Sequence, residues 1–271
     1  MAFRQELGIE VFETMLLTQY ILVKQQRRAG SSMGNDLFDK AGFKFEYRKG
    51  KERFYRPFFS SDEELEQFFF EVFHSGNKDL KPRQMINQIC RFVSLANDIE
   101  QIRPGRDPLR ILFLRICLES LCSLSQGWKS KSEFFRQFLS CMSNEGTQYI
   151  LENFRYKFAV PENEDHLDPY DVSVIPEHQL TLGNFFEIIR CVRNLVVHDG
   201  DYWSMQFFAR DTDSVWLVSL TTDENILGID DFAKERIIYH FETTLLYEKF
   251  VFYFTDACIR FVQKYMDWHV G

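Results

Sequence analysis

Apolar residues recur at helical spacing along most of the chain, and this pattern predicts a mainly α-helical protein. Ser61, Ser130 and Thr181 each precede such a run and carry a hydroxyl that can cap a helix. Asp107 and Pro108 begin another run, where Asp can cap a helix and Pro favours its first turn. The predicted helices cover residues 3–28, 61–73, 82–100, 107–124, 131–142, 145–157, 182–197 and 230–268.

In two stretches the residue types alternate along the chain instead, which is typical of the strands of a β-hairpin. Residues 43–47 and 53–58 flank Lys49-Gly50-Lys51. Residues 204–210 and 215–221 flank a polar turn and follow Gly200. We therefore expect a hairpin within 36–59 and a second one after the helix that ends near Gly200.

Composition is that of an ordinary globular chain, with 45% hydrophobic and 27% charged residues among 271. The 29 Phe predict a core packed largely from aromatic rings. No apolar run is long enough for a membrane span, and the start of the chain has no signal-peptide pattern, so a cytoplasmic protein without membrane contact is expected. The six Cys form no C-x2-C pair and the six His are scattered, so we expect reduced thiols, no metal site and no cofactor.

Charge is unevenly distributed. The net charge is −8, yet residues 1–140 carry 22 Lys and Arg against 18 Asp and Glu, and residues 141–271 carry 10 against 22. The sequence Arg103-Pro104-Gly105-Arg106 breaks the helical pattern and is the predicted domain boundary. We predict a mostly helical N-terminal region, 1–103, and a helical domain, 104–271.

A basic, aromatic segment lies in the N-terminal region at residues 40–56. It has seven cations with five aromatic residues between them, and Lys49, Lys51 and Arg53 are the ones predicted to bind substrate. Cations that meet phosphates beside rings that stack on bases are typical of single-stranded nucleic-acid binding. The same composition fits the exposed edge of a hairpin, where Lys and Arg discourage aggregation.

The helix predicted over 182–197 has one apolar face and one polar face. The polar face carries Arg190, Arg193, Asn194 and His198, with Asn194 and His198 four residues apart. Gly200 stands where a helix-ending residue of positive φ is expected. The pattern places a cationic, imidazole-bearing ridge at the end of a buried helix.

Arg193 to His198 reads R-N-x-x-x-H, which resembles the signature of the HEPN superfamily. The stretch Ile116-Cys117-Leu118-Glu119-Ser120-Leu121 is similar to a helix that precedes this signature in several of its families. The resemblance implies a HEPN-type helical bundle, here with a hairpin after the signature helix and an N-terminal helical extension. It also implies a metal-independent endoribonuclease that leaves 2′,3′-cyclic phosphate and 5′-hydroxyl ends, as in toxin or defence proteins.

Chemistry at these residues fits that expectation. His198 can act as acid or base near neutral pH, and Arg193 can hold phosphate oxygens without losing its charge. Asn194 can fix the imidazole or bind the phosphate, and Arg190 can extend the phosphate site. Asp199 and Asp201 would repel RNA, although a carboxylate can also keep the imidazole protonated. The structural alternative pairs Arg193 with Glu187 or with acids of 162–171, and has His198 satisfy carbonyl groups at the helix end.

Partners follow from the same two interpretations. A ribonuclease binds RNA and, as the resemblance implies, forms a homodimer whose composite site has two imidazoles; a toxin would also have an inhibitor protein. The Phe-rich stretch 250–254 supplies apolar surface for a dimer, or it fills a large monomeric core.

No Walker loop, G-x-S-x-G, H-E-x-x-H or kinase signature is present. The alternative function is a non-catalytic HEPN-like interaction or dimerisation module that docks a protein.

Overall fold

A computed structural model describes residues 50–74, 80–125, 130–161, 179–208, 216–222 and 237–270. Over these residues the protein is mainly helical and has one antiparallel sheet. The α-helices that are described from end to end are α1 (Asp62–His74), α2 (Lys81–Ile102), α3 (Asp107–Leu124), α4 (Lys131–Leu139), α5 (Asn144–Asn153), α6 (Leu182–Asn194) and α7 (Tyr247–Val270). The chain divides into two units, 1–65 and 66–271. The helix predicted over 3–28 lies outside the described residues.

The described part of the first unit is helical, so the hairpin predicted within 36–59 is wrong for residues 50–58. Residues 50–55 are α-helical and run into a 3₁₀ turn at Arg56–Phe58. Phe54 packs edge-on against Tyr55, with ring centroids 4.8 Å apart, and it also contacts Phe58. Side chains four residues apart are neighbours on a helix surface, so these aromatic residues suit a helical face as well as a strand.

Local capping chemistry sets the starts of several helices, as predicted. The Oγ of Ser61 accepts a hydrogen bond from the Glu64 amide at 3.2 Å, and the Oγ of Ser130 accepts one from the Glu133 amide at 3.2 Å. The reciprocal bond of a capping box differs in each case. The Glu64 carboxylate accepts from the Ser60 amide, and the Glu133 carboxylate binds Arg136 instead.

The core of the second unit forms where α2, α3, α6 and α7 pack together, with α4 and α5 against α7. Its centre is a chain of phenylalanine rings, as the composition predicts. Phe185 on α6 contacts the rings of Phe154 and Phe250, and Phe138 on α4 contacts those of Phe186 and Phe254. Edge-on and tilted ring pairs of this kind add to the apolar area that they bury.

Three strands form the sheet, in the order β1-β3-β2, with both neighbouring pairs antiparallel. They are β1 (Phe154–Pro161), β2 (Trp216–Thr222) and β3 (Ile237–Thr243). A bulge at Lys157 shifts the register of β1 against β3. Phe154 and Tyr156 are therefore buried before the bulge and Ala159 after it.

The sheet corrects three predictions. The helix expected over 145–157 ends at Asn153, and the chain continues directly as β1. The helix expected over 230–268 begins at Tyr247, because residues 237–243 form the central strand. Strand β2 is confirmed, but its partner is β3 and not residues 204–208, which are irregular. Residues 209–215 of that predicted hairpin lie outside the described residues.

Three further observations on the described residues bear on the sequence predictions. No helix in the described ranges combines the length and apolar character needed to cross a membrane. All six cysteines lie in described segments and are free thiols, as expected. The break at residues 103–106 is the turn between α2 and α3, which pack against each other. The domain boundary predicted there stays a prediction.

Candidate functional site

Helix α6 is built as the sequence predicts. Thr181 caps it: its Oγ1 accepts from the Asn184 amide at 3.1 Å, while Asn184 Oδ1 accepts from the Thr181 amide at 3.0 Å. The residues that turn inward are all buried, namely Phe185, Phe186, Ile188, Ile189, Cys191 and Val192. The opposite face is left partly exposed and carries the polar residues of the motif.

Helix α6 ends in an unusual way. Residues Leu195–Asp199 form a π-turn, and Gly200 follows with φ of 65°. The amides of Gly200 and Asp201 both donate to the Leu195 carbonyl. A π-turn is wider than an α-turn and occurs frequently at functional sites. The positive φ at Gly200 is as predicted, but the α-helix predicted to Val197 ends three residues earlier, so Asn194 and His198 are not related by plain α-helical geometry.

Arg193 is held from two sides. Its Nη1 donates to Asn194 Oδ1 at 3.0 Å, and its Nη2 lies 3.3 Å from Glu119 Oε2 on α3. The alternative pairing of Arg193 with Glu187 is not formed, and Glu187 binds the Nε of Arg190 at 2.7 Å. The acids of 162–171, the other alternative, lie outside the described residues. The contact with Glu119 joins the two stretches of sequence on which the HEPN resemblance depends.

Arg115 lies on the other side of Glu119, and the sequence interpretation overlooked it. Its Nε lies 3.6 Å from Glu119 Oε1, and its guanidinium sits 4.3 Å from the centre of the Phe135 ring. Burial lowers the pKa of this guanidinium; Glu119 and Glu187 raise that pKa, and Arg190 and Arg193 lower it. The available signal was a single charge inside the apolar run of α3, four residues before Glu119.

His198 is exposed in the π-turn, next to Val197, which is also exposed. Over the described ranges the imidazole makes no hydrogen bond or ion pair, so those residues do not provide the carbonyl contact considered as an alternative. Asp201 does not hold the imidazole either, because its Oδ1 accepts from the Trp203 amide at 2.8 Å. The imidazole is therefore open to a ligand.

The segment after the motif is tied to the start of α3. Asp107 Oδ2 accepts a hydrogen bond from the Phe207 amide at 2.7 Å, and Gln206 Nε2 donates to the Gly105 carbonyl at 3.3 Å. Trp203 is 67% exposed and has the guanidinium of Arg106 3.5 Å from the centre of its ring. These contacts fix the path of the chain beyond Gly200.

The other predicted binding residues lie apart in the chain. Lys49 is outside the described residues, and Lys51 and Arg53 belong to the first unit. Lys51 is buried, whereas Arg53 is exposed. The nucleic-acid contact predicted for this segment stays a prediction, and of its three described cations Arg53 and Arg56 have the exposure that the contact needs.

Two observations bear on the class of the site. In the part of the chain that the structure describes, no group of three His, Cys, Asp or Glu residues is placed to hold a metal ion. No family model matches this sequence, and comparisons with curated proteins and with solved structures find no match. The functional assignment therefore depends on the residues and geometry of α6 and α3.

Proposed function

We propose that this protein is a HEPN-type, metal-independent endoribonuclease acting on single-stranded RNA, with Arg193, Asn194 and His198 as its catalytic residues. The observation that carries the proposal is the exposed imidazole of His198 in a π-turn, one turn beyond an arginine that Glu119 and Asn194 hold in place. A toxin or defence role, with an inhibitor protein, belongs to the same proposal.

Each residue has a separate chemical task. His198 transfers a proton, either from the attacking 2′-hydroxyl or to the leaving 5′-oxygen. Arg193 stabilises the charge that develops on the phosphate. Because Asn194 Oδ1 is engaged by Arg193, its amide N–H groups are the ones left to bind substrate. The products are a 2′,3′-cyclic phosphate and a 5′-hydroxyl.

A homodimer with two His198 side chains facing one scissile phosphate completes the mechanism that we propose. One chain supplies a single imidazole at the motif, and cleavage is easiest with one group on each side of the phosphate. The Phe-rich stretch 250–254 adds little apolar surface for a dimer, because Phe250 and Phe254 fill the core and, of these three Phe, only Phe252 is exposed, by 41%. Sedimentation at micromolar concentration should give a dimer. A mixture of Arg193→Ala and His198→Ala chains should regain partial activity, and a strict monomer would refute the composite site.

A non-catalytic interaction module is the second candidate, favoured by the internal partners of Arg193. A purely structural role for Arg193, joining α3 to α6, is consistent with its pairing with Glu119 and Asn194. The two functions differ in what they predict for His198, which makes no such structural contact with the described residues.

Cleavage of single-stranded RNA in EDTA distinguishes these functions. Wild type should cut the RNA, and His198→Ala should reduce the rate about 100-fold or more. Val197→Ala is the matched control, because it changes an exposed side chain in the same π-turn and carries no proton-transfer group. If wild type leaves the RNA intact, or if both variants lose activity equally, the catalytic assignment is wrong and the interaction module is favoured.

A further inference from the structure

Arg115 and Arg193 form an arginine cluster whose charge and hydrogen-bond donors are not satisfied by Glu119, the carboxylate that both guanidiniums approach. Arg190, which pairs with Glu187, lies one turn before Arg193 on α6. Arg115 is buried, with a relative exposure of 6%. Its Nε and Nη1 have no hydrogen-bond acceptor among the described residues. The Nε of Arg193 is in the same position. Buried cationic donors without acceptors are costly, and an oxyanion would satisfy them.

We infer that this arginine cluster is a phosphate-binding site, and that it takes a backbone phosphate of the RNA beside the one that is cut. The inference deepens the proposed endoribonuclease function and rests on it for the identity of the ligand. Arginine suits this task because its planar fork of donors matches two phosphate oxygens at once.

Glu119 marks where such a phosphate would lie. Its two oxygens already bridge the two guanidiniums, Oε1 towards Arg115 and Oε2 towards Arg193. Both distances, 3.6 Å and 3.3 Å, exceed the roughly 2.7–2.9 Å of a strong charge-assisted bond, so the carboxylate holds its place weakly. The Glu119 side chain is 44% exposed and can rotate into solvent. A phosphate can therefore replace it and gain shorter contacts with the same donors.

The proximity of the site to the motif follows from Arg193, which belongs to both. Its Nη1 reaches Asn194, while its Nη2 lies against Glu119, the carboxylate that Arg115 also approaches. Arg190, one turn earlier on α6, extends the same face. The scissile phosphate can thus lie at the motif while the adjacent phosphate of the same strand lies at the arginine cluster. This arrangement fixes the register of the strand against His198.

The first test measures binding of inorganic phosphate through the shift that it causes in the thermal midpoint, with chloride at equal ionic strength as the reference. We expect Glu119→Gln to tighten phosphate binding at least about threefold, because it removes a competing charge. Arg115→Lys keeps the charge but loses the fork, and should weaken binding about tenfold. Glu152→Gln, at an exposed position on α5, should leave binding unchanged.

Arg110→Lys is the matched control for Arg115→Lys. Arg110 also lies on α3, over the ring of Tyr247 at 4.0 Å, but Asp107 and Glu100 balance its charge. Phosphate affinity should therefore not change in this variant. If Arg115→Lys fails to fold, Glu119→Gln and Arg193→Gln decide the question, since both side chains are partly exposed. Equal stabilisation by phosphate and chloride, or an unchanged affinity in Glu119→Gln, overturns the inference.

A second measurement separates RNA from free phosphate. A single-stranded 2′-O-methyl oligoribonucleotide cannot be cleaved, so its binding is read independently of catalysis. It should compete with inorganic phosphate, and its affinity should fall less steeply with salt in Arg115→Lys or Arg193→Gln than in wild type. Phosphate binding without competition overturns the assignment to RNA. If the oligonucleotide competes with phosphate but the protein never cuts RNA, the phosphate-binding site is supported and only the proposed ribonuclease activity is refuted.

Discussion

Replacing Asp107 by Ala should destabilise the protein, because the buried carboxylate joins the start of α3 to the segment that follows the motif. It accepts from the Phe207 amide at 2.7 Å and from Arg110 Nη1 at 2.9 Å. In the variant Arg110 keeps Glu100 at 3.2 Å and the Tyr247 ring, so its charge stays paired. The Phe207 amide, by contrast, becomes a buried donor without its acceptor.

The size of the effect follows from these contacts. A hydrogen bond to a charged group contributes about 1.5–3 kcal/mol, and two are lost. Relief of the buried charge offsets part of the loss, which leaves a net decrease of about 2–3 kcal/mol in the free energy of unfolding. For a chain of this size the thermal midpoint should fall by roughly 4–10 °C.

Urea unfolding followed by circular dichroism measures this decrease, provided that the slope of the free energy against urea is unchanged. Asp267→Ala is the control, since Asp267 is exposed on α7. RNA cleavage should also fall in Asp107→Ala, because the chain beyond Gly200 loses an anchor. A decrease within about 0.5 kcal/mol of that of Asp267→Ala would show that the carboxylate does not hold the segment.

Three further results are expected. Burial raises the pKa of Asp107, so the folded state binds its proton first and this group costs stability above its folded pKa. As pH falls from neutral towards about 4, wild type should therefore gain stability relative to Asp107→Asn, and a constant difference between their urea midpoints would contradict this. Phe138→Ala, which removes a buried ring, should cost about 3–5 kcal/mol in urea unfolding, against a small change for the exposed Phe252→Ala; equal costs would refute the packing argument. Gly200→Ala should cost about 1–2 kcal/mol from its positive φ alone, because nothing lies within 4 Å of the added carbon, and thermal unfolding at the wild-type midpoint would disprove the strain.

Helix starts could be predicted from the sequence because their causes are local. Thr181 caps α6 through a residue three positions away, and Ser61 and Ser130 act over the same span. The buried face of α6 could likewise be predicted from the 3.6-residue period of its apolar residues. Predictions of this kind need no knowledge of the rest of the fold.

Strands were harder to predict because their partners are remote. Ile237, Ile238 and Phe241 fit a helical period as well as an alternating one, and only pairing with β1 and β2 decides between them. Phe154 pairs with Thr243, far along the chain, and no local signal marks that contact. Sheet propensity depends on such neighbours more than helix propensity does.

The candidate site was predictable in part for the same reason. The start of α6, the positive φ at Gly200 and the exposure of His198 follow from the local pattern, whereas the π-turn that ends the α-helix at Asn194 does not. The contact of Arg193 with Glu119 spans 74 residues, and the role of Arg115 depends on it. An arginine within the apolar run of α3 shows that a partner is needed, but not which one.

The central place of β3 has a consequence for the order in which the protein is made. Strand β1 precedes α6 and strand β2 follows it, and both pair with β3, which is translated after all three. While the chain is still growing, α6 can already pack against α3, but the strands on either side of the motif lack their sheet partner. Those strands pair only when β3 has emerged and joined them. Any activity that needs the completed sheet is delayed until that late stage of synthesis.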